Sequence, residues 1–132
     1  MHSATLVSQS ARTTSWIGRV LSGLVVAFMV FDGMIHVLKP APVIDAFSQL
    51  GVPLAISVGI GVVELVCIAL YAIPRSAVIG ALLLTGYLGG AIAIQVRAGA
   101  GWFPTIFPVL IAGLLWSGLA LRDRRVRALI AV

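Results

Sequence analysis

The chain has one cysteine, Cys67, only four acidic side chains and two histidines in 132 residues. A lone thiol excludes a disulfide framework and CxxC dithiol chemistry, and Cys67, inside an apolar run, reads as a small core residue. No His, Cys, Asp or Glu recurs at ligand spacing, so no metal site is expected. There is no flavin or nucleotide motif and no haem-ligating histidine pair. Charged residues are 10% of the chain, against about 25% in soluble domains, and no polar stretch is long enough to fold by itself. The first apolar segment has no small-x-small cleavage site behind it; Val30-Phe31-Asp32-Gly33-Met34 stands there, so it reads as a retained anchor.

Apolar residues dominate, at 61% of the sequence with mean hydropathy +1.14. Four segments reach the roughly 20 apolar residues that a spanning helix needs: about 16–38, 54–73, 76–96 and 103–121. The expectation is an all-α membrane protein with four transmembrane helices in an antiparallel bundle. Residues 1–15, polar and rich in Ser and Thr, are expected to be a disordered cytoplasmic tail, with His2 inside it, and 122–132 a basic cytoplasmic tail. Pro74-Arg75 leaves two or three residues between the second and third spans, making them antiparallel neighbours.

The excess positive charge is distributed by side. With four spans, one side holds Arg12, Arg19, Arg75, Arg122, Arg124, Arg125 and Arg127, and the other holds Lys39 and Arg97. That bias places both termini in the cytoplasm. The C-terminal arginines then face anionic headgroups, which explains the charge without nucleic acid. The surroundings expected are a lipid bilayer with both termini on its cytoplasmic side.

All six prolines lie near span boundaries: Pro40, Pro42, Pro53, Pro74, Pro104 and Pro108. Pro104 suits the first turn of the fourth span and Pro108 a slight kink. In the longest loop Pro42 can open a helix and Gly51 close one. Val43, Ile44, Phe47 and Leu50 recur between them at helical spacing, which predicts a short amphipathic helix in the interface between the first and second spans. Trp16 and Trp116 near one boundary, and Trp102 with Phe103 near the other, read as interfacial anchors. Gly86 and Gly90 form a GxxxG pair, extended by Gly89 and Ala93. Such spacing predicts close helix packing, most tightly at the third span.

Ionisable residues inside the spans carry the functional signal. Glu64 stands in the middle of the run Leu54–Ile73, where a charge costs from about 2.5 to over 10 kcal/mol. Asp32 and His36 are four apart and share a helix face. Ser57 and Gly61 share the face of Glu64, and Gly86, Gly90, Ala93 and Arg97 align on the third span. At about 1.5 Å per residue, Asp32 lies roughly 9 Å, His36 roughly 3 Å and Glu64 roughly 15 Å below the outer end of their helices. Candidates for chemistry are therefore Glu64, Asp32 and His36, with Ser57, Gly61, Tyr87, Gln95, Lys39 and Arg97 lining a polar cavity open to the outside. Packing alone also accounts for Asp32 with His36, or Glu64 with Tyr87, since a buried carboxyl can be carried as the neutral acid.

Phe31-Asp32-Gly33-Met34-Ile35-His36-Val37-Leu38-Lys39-Pro40, then Phe47, Leu50-Gly51-Val52-Pro53, Gly61-Val62-Val63-Glu64-Leu65, Ile73-Pro74-Arg75, Gly80-Ala81 and Tyr87-Leu88-Gly89-Gly90-Ala91-Ile92-Ala93 occur in order. Together they resemble the DoxX-like family of small bacterial four-helix membrane proteins, over about residues 17–121. The resemblance implies a link to membrane redox processes, because the wider grouping includes subunits of a thiosulfate:quinone oxidoreductase. Three functions are carried forward. One is a non-catalytic subunit or scaffold, self-associating or bound to a redox partner and not an enzyme by itself. The second is a quinone- or lipid-linked oxidoreductase component in which Glu64, with Asp32 or His36, exchanges protons with a quinone head. The third is a small transporter or proton pathway. A hydrolytic triad has no nucleophile beside Asp32 and His36.

Overall fold

The computed structural model describes residues 2–131. Helix α1 runs His2–Leu38, α2 Ala41–Leu50, α3 Ser57–Ala72 after a 3₁₀ turn at Leu54–Ile56, α4 Ala77–Arg97, α5 Trp102–Arg122 and α6 Arg124–Ile130. Among the described residues there is no strand. Four stretches are long and apolar enough to cross a membrane: Ser3–Leu38, Leu54–Ala72, Ala77–Arg97 and Trp102–Arg122.

The first of these corrects the expected disordered tail, because α1 is helical from His2. Nothing between His2 and Ile17 is Gly or Pro. The polar side chains fold back on their own helix, Thr13 Oγ1 donating to Gln9 O at 3.0 Å and Thr14 Oγ1 to Ser10 O at 2.9 Å, so they do not compete with it. The basic tail is likewise ordered. Asp123 Oδ1 caps α6 by accepting from Arg125 N at 2.8 Å, Val126 is buried, and Arg127 donates to the carbonyls of Ala120 and Leu121 at 3.2 and 2.6 Å. These carbonyls are among the last of α5, which lack helical partners.

The segment after Leu38 forms the short helix that Pro42 and Gly51 predict. Pro42 sits in its first turn, where a missing N–H is harmless, and Gly51 ends it in the left-handed conformation (φ 64°) with its N–H on Phe47 and Ser48 carbonyls. Val43 and Phe47 are its buried face.

Each long helix has two main neighbours: α1 packs on α3 and α5, and α4 packs on α3 and α5. The core between them holds Val25, Met29, Tyr71, Leu84, Leu115 and Leu119, each at most 2% exposed. Large apolar side chains on the outside, such as Leu24, Phe31, Val66, Leu82 and Leu110, are all more than half exposed. A girdle of that kind matches hydrocarbon surroundings.

Close packing does not fall where the GxxxG pair predicts. A Cβ on Gly86, Gly89 or Gly90 would meet nothing within 4 Å, and Ala93 is exposed. The tight approaches lie elsewhere: a Cβ on Gly80, near the start of α4, would collide with the Tyr71 backbone on α3, one on Gly18 would lie 2.5 Å from Arg122 N, one on Gly118 2.9 Å from Ser22 N, and one on Gly61 2.6 Å from Gly33 O. Small residues permit contact only where another helix is present, and none lies against Gly86, Gly89 or Gly90. Trp116 also differs from a boundary anchor, since its Nε1 donates to Thr85 Oγ1 on α4 at 2.9 Å.

Candidate functional site

The crossing of α1 and α3 builds the site. Gly33 faces Gly61 closely enough for neither to carry a Cβ without displacing a neighbour. Ser57 Oγ donates to His36 O at 2.7 Å, satisfying a terminal carbonyl of α1. These two contacts set the register in which Asp32 and His36, on α1, meet Glu64, one turn beyond Gly61. Ser57 and Gly61, expected as cavity lining, are therefore seam residues that position the cluster.

Glu64 is fully buried. Its Oε2 accepts a hydrogen bond of 2.7 Å from Tyr87 Oη on α4 and lies 3.8 Å from His36 Nδ1. Its Oε1 has no hydrogen-bond partner. His36 Nδ1 is 3.6 Å from Asp32 Oδ2 and 2.8 Å from the Asp32 carbonyl, a contact that fits donation by Nδ1–H. The Phe47 ring covers the imidazole edge-on, centroids 5.8 Å apart. Three helices thus bring an imidazole, two carboxyls and a phenol together in an apolar interior.

The cluster borders a cavity of about 580 Å³, within the range of small-ligand sites. Asp32, His36, Tyr87 and Gln95 supply its polar groups, while Phe28, Phe47, Phe103 and Phe107 supply aromatic wall. Gly86 and Gly90 are also in the wall, where the lack of a side chain leaves space for the cavity. Lys39 and Arg97 do not line it; Arg97 reaches the Leu50 carbonyl at 3.4 Å, and Lys39 closes α1 with φ 52°. Of the lining anticipated from the sequence, Tyr87 and Gln95 belong to this cavity.

The sequence model of the DoxX-like family matches residues 20–118. The chain belongs to the DoxX-like family. No curated protein and no solved structure matches it. The matched stretch holds the whole cluster and the whole cavity wall.

Two parts of this DoxX-like chain were hidden in the sequence. Phe103 read as an anchor and Pro104 and Pro108 as helix punctuation, yet with Phe107 they form one wall of the cavity. Phe28 and Phe107 meet edge-to-face at 5.4 Å, and the three-four spacing of the α5 aromatics was the available signal. The second is a network at the other end of the bundle. Tyr71 Oη donates to Leu115 O at 2.7 Å and lies 3.0 Å from Ser22 Oγ. Arg122 donates to Tyr71 O at 2.7 Å, its guanidinium 4.7 Å from the ring centroid. Three helices are clasped there, with no adjoining apolar cavity. Three groups of ligand type also converge: donor atoms of Asp32, His36 and Glu64 lie within 4.8 Å of one another. Spacing along the chain could not show this, because Glu64 comes from a different helix.

Proposed function

We propose that this DoxX-like protein takes the ring of a quinone-class lipid into the cavity and acts as a membrane component of a redox process. The observation that carries the reading is the coincidence of an aromatic-walled cavity with the His36–Asp32–Glu64–Tyr87 cluster at its polar margin. A quinone head needs hydrogen bonds to its oxygens and protons on reduction; acid–base groups held in reach supply both. His36 and Asp32 border the space itself, and Glu64 stands behind them as a proton reservoir with Tyr87 holding one oxygen. The reducing partner is a separate redox protein.

In this reading the four long helices form an antiparallel bundle in the bacterial inner membrane, both termini cytoplasmic and α2 in the outer interface, as the arginine distribution favours. The cavity then opens in the outer half. A transport route has less support: on the far side of Glu64, Tyr71, Leu84 and Leu115 are fully buried and close the bundle.

The test is quinone-dependent turnover by purified protein with its native partner. Glu64→Gln preserves shape and an acceptor for Tyr87 but removes the exchangeable acid, so turnover should fall by about 100-fold or more. Unchanged turnover would remove Glu64 from the mechanism.

A second reading, a non-catalytic subunit or scaffold, is favoured by one observation: Gly89 and Ala93 form an exposed small-residue face on α4. Gly89→Leu would then break assembly and leave quinone binding intact. Gly90→Leu, which fills the cavity wall, would do the reverse under the quinone reading. Native gels and extraction of bound quinone from both variants decide between them.

A further inference from the structure

Glu64 presents a fully buried carboxyl oxygen, Oε1, that no donor satisfies. A lone buried acceptor of this kind is destabilising by the desolvation it suffers, and the other oxygen of the same carboxyl lies 3.8 Å from His36 Nδ1. One donor atom each from Asp32, His36 and Glu64 falls within 4.8 Å of the others. From these observations we infer that the cluster is a binding site for one divalent transition-metal ion, held by the two carboxylates and the imidazole.

Charge supports the inference. When both carboxyls are ionised beside a neutral imidazole they carry two negative charges, and unlike charge is needed for balance. A single divalent ion brings the cluster to neutrality. Among the described residues no Lys or Arg forms an ion pair with Asp32 or Glu64, so none already does this.

The surroundings support it as well. His36 Nδ1 rests 2.8 Å from its own helix's Asp32 carbonyl. The same Nδ1 is the ring nitrogen that stands 3.6 Å from Asp32 Oδ2 and 3.8 Å from Glu64 Oε2, so it is the ligating atom and exchanges the carbonyl contact for the ion on loading. Tyr87 donates to Glu64 Oε2 at 2.7 Å, the outer-shell bond that orients a ligating carboxylate. Metal bonds near 2.1 Å place donors about 3 to 3.5 Å apart, so the side chains draw together modestly on loading. The ion's remaining positions face the cavity that Asp32 and His36 line, leaving room for water or a ligand oxygen.

Donor type sets the class. A nitrogen with two carboxylate oxygens suits Mn²⁺, Fe²⁺, Co²⁺ or Zn²⁺. Mg²⁺ and Ca²⁺ prefer oxygen alone, and copper(I) prefers sulfur.

This inference rests on the same cluster as the quinone reading but requires no quinone. The experiment uses the full chain in lipid nanodiscs, stripped with chelator and titrated with Co²⁺ alone, then with Mn²⁺ alone. Expected are saturable uptake of one ion per chain and visible Co²⁺ bands of a low-symmetry site. His36→Gln and Glu64→Gln should abolish both, and Tyr87→Phe should weaken binding roughly 10-fold or more. Absence of saturable binding by the wild type overturns the proposal. So does wild-type binding in His36→Gln or Glu64→Gln, with monodisperse elution and helical circular dichroism certifying each variant; Asp32→Asn replaces any that fails this check. Quinone retention is measured on the same samples. Retained quinone without cobalt binding overturns the metal site alone, and cobalt binding without quinone overturns the cavity reading alone.

Discussion

Glu64 and Tyr71 show how one helix serves two polar groups differently. Both lie on α3 and both are fully buried, seven residues and so about two turns apart. Tyr71 is satisfied on every side: Ser22, Leu115 O and the guanidinium of Arg122 surround it. Glu64 keeps one oxygen unpaired, which marks it as the group with capacity left for a ligand, ion or proton. Removing a satisfied group should cost stability and leave function alone. Tyr71→Phe is therefore expected to destabilise the bundle by about 1–2 kcal/mol, read as a lowered unfolding midpoint in detergent, with cobalt and quinone binding retained. A loss of binding at unchanged stability would mean that the two ends of the bundle are functionally linked.

The helices divide their work by where glycine permits contact. The α1–α3 seam at Gly33 and Gly61, the α1–α5 seam at Gly18 and Gly118 and the α3–α4 seam at Gly80 are the close approaches. Gly86, Gly89 and Gly90 of α4 instead face the cavity or the outside. Gly61→Ala places a Cβ 2.6 Å from a backbone oxygen, which no rotamer change relieves. It should cost about 1–3 kcal/mol and widen the gap between His36 and Glu64, whereas Gly89→Ala should leave stability unharmed. Comparing the two unfolding midpoints in the same detergent checks this. Equal midpoints would deny that the seam is tight. The sequence carried the small-residue signal for both groups of glycines, but spacing cannot say which face meets a neighbour.

Taken whole, the molecule is a bundle with a cavity end and a clasped end. Lys39 and Arg97 lie near the cavity end, and seven arginines lie in or beside the other end and its flanking segments. If the positive-inside bias sets the topology, a phosphatase reporter fused after residue 131 stays inactive and a fluorescent-protein reporter there is bright. The opposite pattern would turn the cavity to the cytoplasm and change which redox partner can reach it.

Four helices long and apolar enough to cross a membrane, the short helix between Pro40 and Gly51 and the depth of Glu64 were legible in the residues. Length, hydropathy, proline and glycine act locally, so a linear reading captures them. The N-terminal part of α1 was not legible, since a Ser- and Thr-rich segment looks unstructured until its hydroxyls are seen bonded along the helix. The chain order alone determined that this is a membrane-embedded helical protein with costly carboxyls inside it. Only the tertiary structure decided that Asp32, His36, Glu64 and Tyr87 converge beside an aromatic cavity. Which helix faces meet is set by steric fit between residues distant in sequence, and the Gly33–Gly61 contact is where that fit selects the site.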